Sequence, residues 1–174
     1  MAWWIFGKKV SANNELLQKE MSDLTSLENY TKEFKGELEK LRPFLAELKN
    51  KTSKGKSLSR GEVESLQGFD NLVVESQTKY LKFKQTIITD GRNDNLKNDS
   101  SFRQVLQYVE EITNGRNKIV SLSLISEGAV SESMSKLGTA LNMVDENIKA
   151  LGDLLFNLKN VESFVQGELS KHVA

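Results

Sequence analysis

Apolar side chains recur along this chain at gaps of three and four residues, the spacing that lines up one face of an α-helix. The pattern is clearest over residues 130–169. There Met134, Leu137, Leu141, Val144, Ile148, Leu151, Leu155 and Leu158 form a seam along one side. About 40 residues at ~1.5 Å each make a rod of roughly 60 Å, and a rod with one apolar edge is stable in water only when other helices cover that edge.

A second stripe runs through Leu17, Met21, Leu24, Leu27, Tyr30, Phe34, Leu38, Leu41, Leu45 and Leu48, and predicts a first helix over residues 11–50 with Ser11 or Asn13 as its cap. Met21, Leu24, Leu27 and Tyr30 step by three, which predicts a local overwinding of any supercoil. Pro43 lies within the stripe, predicting either a kink near residues 38–42 or a helix restart at Pro43, because proline has no N–H to donate and its ring crowds the preceding turn; the unbroken phase of the stripe favours the kink. After a polar connection, Ser59 and Glu62 form a capping box for a second helix over 60–89, carrying Val63, Leu66, Phe69, Val73, Tyr80 and Ile87. Asp99 or Ser100 caps a third helix over 100–126 with Phe102, Val105, Leu106, Val109, Ile112, Ile119 and Val120 inward. Projected backwards, the last seam meets Glu127, Ser123, Arg116 and Thr113, so its phase slips and a turn is expected at 126–131 before a fourth helix over 131–171.

These elements predict an all-α protein: an elongated, antiparallel, up-down-up-down four-helix bundle of coiled-coil type over residues 11–174, preceded by a segment over residues 1–10. The alternative is a three-helix rod with one long C-terminal helix. Helices of unequal length leave surplus turns to project or to meet another copy, which predicts a dimer.

Composition narrows the function. Lysine plus arginine equal aspartate plus glutamate at 24 each, so no overall field gathers nucleic acid. Cysteine is absent, which removes disulfides and thiolate ligands. No apolar run approaches the ~20 residues that span a bilayer. The expected location is the cytoplasm, including the inner face of a membrane. The lone histidine, His172, leaves the helices without paired histidine ligands or a catalytic triad base, so no metal, cofactor, small-molecule substrate or enzymatic activity is expected. Lys54-Gly55-Lys56-Ser57 ends like a phosphate loop, but Asn50 stands where that motif needs glycine and a helix precedes it instead of a strand. Residues 90–101 fail the spacing of a calcium loop, with Arg92 and Asn95 at positions that need an acid or amide and a glycine.

Two clusters remain as candidates. Lys49, Lys51, Lys54, Lys56 and Arg60 form a basic loop without an intervening acid. Trp3, Trp4, Ile5 and Phe6, followed by Lys8 and Lys9, place both tryptophans ahead of two cations. Indole and phenyl rings favour the headgroup level of a bilayer, and each lysine adds ~1 kcal/mol beside an anionic leaflet. The segment resembles the short hydrophobic-then-basic N-termini of ESCRT-III and PspA-type membrane-remodelling proteins, which also begin with a long helical hairpin; here the first hairpin is not strongly basic. Sequence alone thus predicts a helical scaffold with a protein partner or self-association, touching an anionic membrane surface through those six residues. The alternative is a wholly soluble oligomer or helix binder with the aromatics in its core.

Overall fold

The computed structural model describes residues 2–89, 96–113 and 130–171, with side chains over 14–87, 96–113, 130 and 132–171. It contains four α-helices: α1 (Ala2–Ser53), α2 (Arg60–Thr89), α3 (Ser100–Thr113) and α4 (Val130–Ser170). The described residues contain no strand. The 114–129 stretch lies outside the described residues, and with it the expected turn at 126–131, the last part of the third helix and the rival continuous rod. Each helix packs on two neighbours, closing a ring in the order α1, α4, α3, α2, with the α1/α4 pair the most extensive.

The first helix begins at Ala2, where capping reasoning had started it at residue 11. Adding turns to an existing helix costs far less than nucleating one, and residues 2–10 contain no proline to stop propagation. Pro43 is inside α1 and exposed to solvent. It occupies the outermost heptad position, so the backbone carbonyl that loses its partner faces water.

The buried positions of α1 are Leu17, Glu20, Leu24, Leu27, Thr31, Phe34, Leu38, Leu41, Leu45, Leu48 and Thr52, together with Glu28 on the flank. Apart from Glu28 they alternate between steps of three and four from end to end. The expected overwinding at residues 21–30 is therefore absent: Met21 and Tyr30 sit beside the seam, partly buried, while Glu20 and Thr31 occupy it. Thr31 is tolerated because its hydroxyl shares a 2.9 Å hydrogen bond with the Tyr80 hydroxyl of α2.

The seam of α4 is also centred differently from the apolar reading. Leu137, Val144, Leu151 and Leu158 are buried as expected. The positions that alternate with them are Ser133, Ala140, Asn147, Leu154, Val161 and Val165. Leu141 and Ile148 flank the core, Leu155 is partly exposed, and Met134 is exposed at 38%. Asn147 can enter the interface because its amide donates to the Met143 carbonyl at 2.7 Å, satisfying it within its own helix.

Side-chain contacts set the register. Lys49 lies over Gly138, Arg42 pairs with Asp145, and Lys35 approaches Gly152. Each step of seven up α4 matches seven down α1, so the two are antiparallel. Glu28 beside Lys159 and Glu162 continues the series. Extended once more, it brings the last residues of α4 level with Leu17. Pairing of Lys51 with Glu62 and of Thr31 with Tyr80 makes α1 and α2 antiparallel as well. α2 stops at Thr89, earlier along α1 than α4 does.

Candidate functional site

The N-terminal candidate is one turn of helix. Ala2 opens α1, so Trp3, Trp4, Ile5 and Phe6 follow one another at about 100° per residue and encircle the axis. A turn that is apolar all round is one that becomes buried in something. Helical phase also divides the cluster. Positions 3, 6 and 10 fall on the line that continues through 13 and 17 into the buried seam; positions 4, 5 and 8 fall on the opposite side, and position 9 falls on the flank between the two. Trp4 and Ile5 thus share a face with Lys8, whereas Trp3 and Phe6 share one with Val10. The side chains of these residues lie outside the described ones, as does His172.

The basic loop is at the other end of α1, roughly 70 Å from Trp3. It is less cationic than its sequence implies. Lys51 pairs with Glu62, and Arg60 pairs with Glu64 at 2.8 Å. Lys49 lies along α4 over Gly138. Lys54 and Lys56 remain exposed, on either side of Gly55, whose φ of 74° is the left-handed conformation that ends a helix most cheaply with glycine. Lys51 and the Ser59 cap hold the Glu62 carboxyl below its usual range. Phe44, Glu47, Lys51, Lys54, Lys56 and Glu62 line a shallow cleft of about 320 Å³ there, of mixed charge.

Sequence reasoning missed two polar arrangements. Between α1 and α4, Glu28 and Glu162 sit side by side, with Lys32 ion-paired to Glu28 and Lys159 close to both. Burial and the adjacent Glu28 push the Glu162 carboxyl up to about 7, and the bond from Lys32 holds Glu28 down. Between α3 and α4, Gln104, Gln107, Glu111, Asp153 and Asn157 line an open groove of about 310 Å³ around Tyr108. Burial raises the Tyr108 phenol and keeps it neutral. Neither arrangement is visible as a motif, because each joins residues from helices far apart in sequence.

Among the described residues no cluster of histidine, cysteine, aspartate or glutamate could hold a metal ion, and no helix is long and apolar enough to cross a membrane. The fold defines a long helical bundle whose first helix begins with an aromatic turn of sequence. Comparison of the chain with protein families, curated proteins and solved structures finds no match.

Proposed function

We propose that the protein is a non-enzymatic helical scaffold that attaches reversibly to anionic membrane surfaces through the first turn of α1. One observation carries this reading: the helix starts at Ala2, which gathers Trp3, Trp4, Ile5 and Phe6 into a single apolar turn with Lys8 and Lys9 just behind. A helix tip of that kind matches the bilayer interface, where rings sink to headgroup depth and ammonium groups meet lipid phosphates. Trp4 and Ile5 lead the contact because they share a side with Lys8, with Lys9 on the adjoining flank. The basic loop is too distant to join an upright contact and adds to it only when the rod lies flat.

The test is co-sedimentation with vesicles containing phosphatidylserine, comparing the natural chain with Trp4→Ala, Ile5→Ala. Expected is loss of most bound protein in the variant, an unchanged thermal transition, and weaker binding of the natural chain as salt rises. A variant that binds equally well removes the anchor. A variant that melts many degrees lower assigns the aromatics to the core of a soluble bundle instead.

A further inference from the structure

The outward side of α2 has a stripe of its own. Val63, Leu66, Tyr80, Phe83 and Ile87 turn the helix into the bundle. Lys79 approaches the Tyr30 ring of α1 on one flank, and Lys84 reaches Glu110 of α3 on the other. Facing away from all of these are Gln67, Asn71, Val74, Thr78, Leu81 and Gln85, at alternating steps of four and three and each of them exposed. None is charged, in a chain with 28% charged residues. The matching outward stripes of α1 and α4 do carry charge, at Lys32 and Glu39 and at Asp145, Lys149 and Lys159. Val74 is 61% and Leu81 43% exposed, one heptad apart. The Thr78 hydroxyl between them donates to the Val74 carbonyl at 3.0 Å, so it needs no water there.

We infer that this stripe is the surface through which two copies of the chain associate, α2 against α2 and antiparallel. The charges of α2 select that occupant and that direction. Apart from Arg60, which pairs with Glu64, the acids of the helix come first (Glu62, Glu64, Asp70 and Glu75) and its lysines last (Lys79, Lys82 and Lys84). Such a helix is complementary to itself when reversed. Glu75 and Lys82, exposed on one flank of the stripe, form no ion pair among the described residues. Setting Leu81 across from Thr78 of the second copy, and Val74 across from its Gln85, brings Glu75 beside the second copy's Lys82. By the two-fold symmetry Lys82 then meets its Glu75. A parallel pair would set Asp70 beside Glu75 and gather the acids at one end. The stripe points away from the core, so the two bundles lie on opposite sides of the α2 pair and neither α1 nor α3 is displaced. From Asn71 to Gln85 the contact is about 21 Å long, which puts it at or below the ~1,200 Å² where stable interfaces begin, and the dimer is therefore weak and exchanging. It uses no residue of the aromatic turn, so it stands apart from the membrane reading.

Sedimentation velocity of the intact chain without lipid, over a concentration series to about 1 mM, tests it. The natural chain is expected to pass from monomer to dimer within that range. Val74→Ser, Leu81→Ser should weaken association at least about tenfold, while helix content and melting in dilute solution stay those of the natural chain, because both side chains are exposed. Glu75→Lys alone and Lys82→Glu alone should each weaken association as well, since each sets like charges together. An equimolar mixture of these two variants should recover it, because opposite charges then meet at both contacts of the mixed pair. A natural chain that stays monomeric throughout, undiminished association of the serine variant, or a mixture no stronger than the single charge variants overturns the proposal.

Discussion

Two lengths of α1, residues 17–52 and residues 2–16, share one helix and one heptad phase but differ in what stands opposite. Along the first, α4 covers Leu24, Leu38, Leu41 and Leu45 so completely that they retain at most 1% of their surface. Along the second, α4 has ended. Apolar periodicity thus states where a helix can be covered; the lengths and registers of its neighbours determine where it is. A difference of this kind should appear as two distinct energetic responses to the same sort of truncation.

The largest response belongs to the covered length. Leu38→Ala removes a side chain with no exposure, and both lost burial and the residual cavity destabilise the bundle by ~2–5 kcal/mol, read from denaturant unfolding. Val10→Ala, in the same phase but outside α4's reach, should change unfolding of the dilute monomer by under about 0.5 kcal/mol. Similar losses at both positions would mean that the chain's own fold covers the N-terminal turns and would erase the comparison.

That contrast also shows which features the chain makes legible. Four helices, the all-α class, the Ser59/Glu62 cap and the Asp99 cap could be read because each is local: the Phe102 N–H donates to Asp99 at 2.8 Å, three residues away. The centre of the seams could not. Apolar residues lie beside the seam as well as on it, so Met134, Leu141, Ile148 and Leu155 compete with Ser133, Ala140, Asn147 and Leu154, and hydrophobicity alone favours the greasier set. What overrules it is the register of the facing helix, which no single stretch of sequence carries, with polar satisfaction supplied within the helix for Asn147 and from α2 for Thr31. The N-terminal start was misread for a related reason. Ser11 and Asn13 are good caps in isolation, but a helix already running through them has no end there to cap. Of the candidate site, the aromatic cluster and its lysines were visible as composition. Their division into two faces required knowing that the segment is helical.

A sharper form of the comparison uses Tyr80→Phe. Its target is a polar layer inside the covered length, where Tyr30 also meets the Tyr80 ring edge-on at 5.9 Å. Removing the phenol oxygen leaves the buried Thr31 hydroxyl without its 2.9 Å partner and costs ~1–3 kcal/mol in the same measurement. Thr31→Val, Tyr80→Phe together should recover part of that loss, since neither group is then stranded. An unchanged single variant would show that the Thr31 hydroxyl finds an acceptor within its own helix.

Ser59→Ala acts outside both lengths and should cost less, about 1 kcal/mol. Ser59 accepts the Glu62 N–H at 3.2 Å, while Glu62 accepts from the Ser59 hydroxyl and pairs with Lys51. A loss well above the capping range would mean that the Lys51 contact also depends on the cap, and would tie the loop to the stability of the α1/α2 corner.

The smallest effect reads the α1/α4 contact through pH. Folding raises the Glu162 carboxyl from an ordinary 4.5 to about 7, by burial and by the neighbouring Glu28. Its Oε1 is buried with no hydrogen-bond partner, which further disfavours the charged form. An acid that binds its proton more tightly when folded stabilises the fold fully below 4.5, and the contribution fades as pH rises through about 7. Glu28 has the opposite sign: held down first by Lys32, it contributes above its ordinary value and loses that contribution as acid protonates it. Between the two, stability should decline gently from pH 5 to pH 8, damped by solvent around the partly exposed Glu162 and by Lys159 and Lys32, which favour its charged form. Glu162→Gln keeps a donor beside Glu28 at every pH, so its melting temperature should be flat over that window while the natural chain's falls. Parallel slopes in the two proteins would place the titrating group elsewhere and leave the carboxyl pair electrostatically silent.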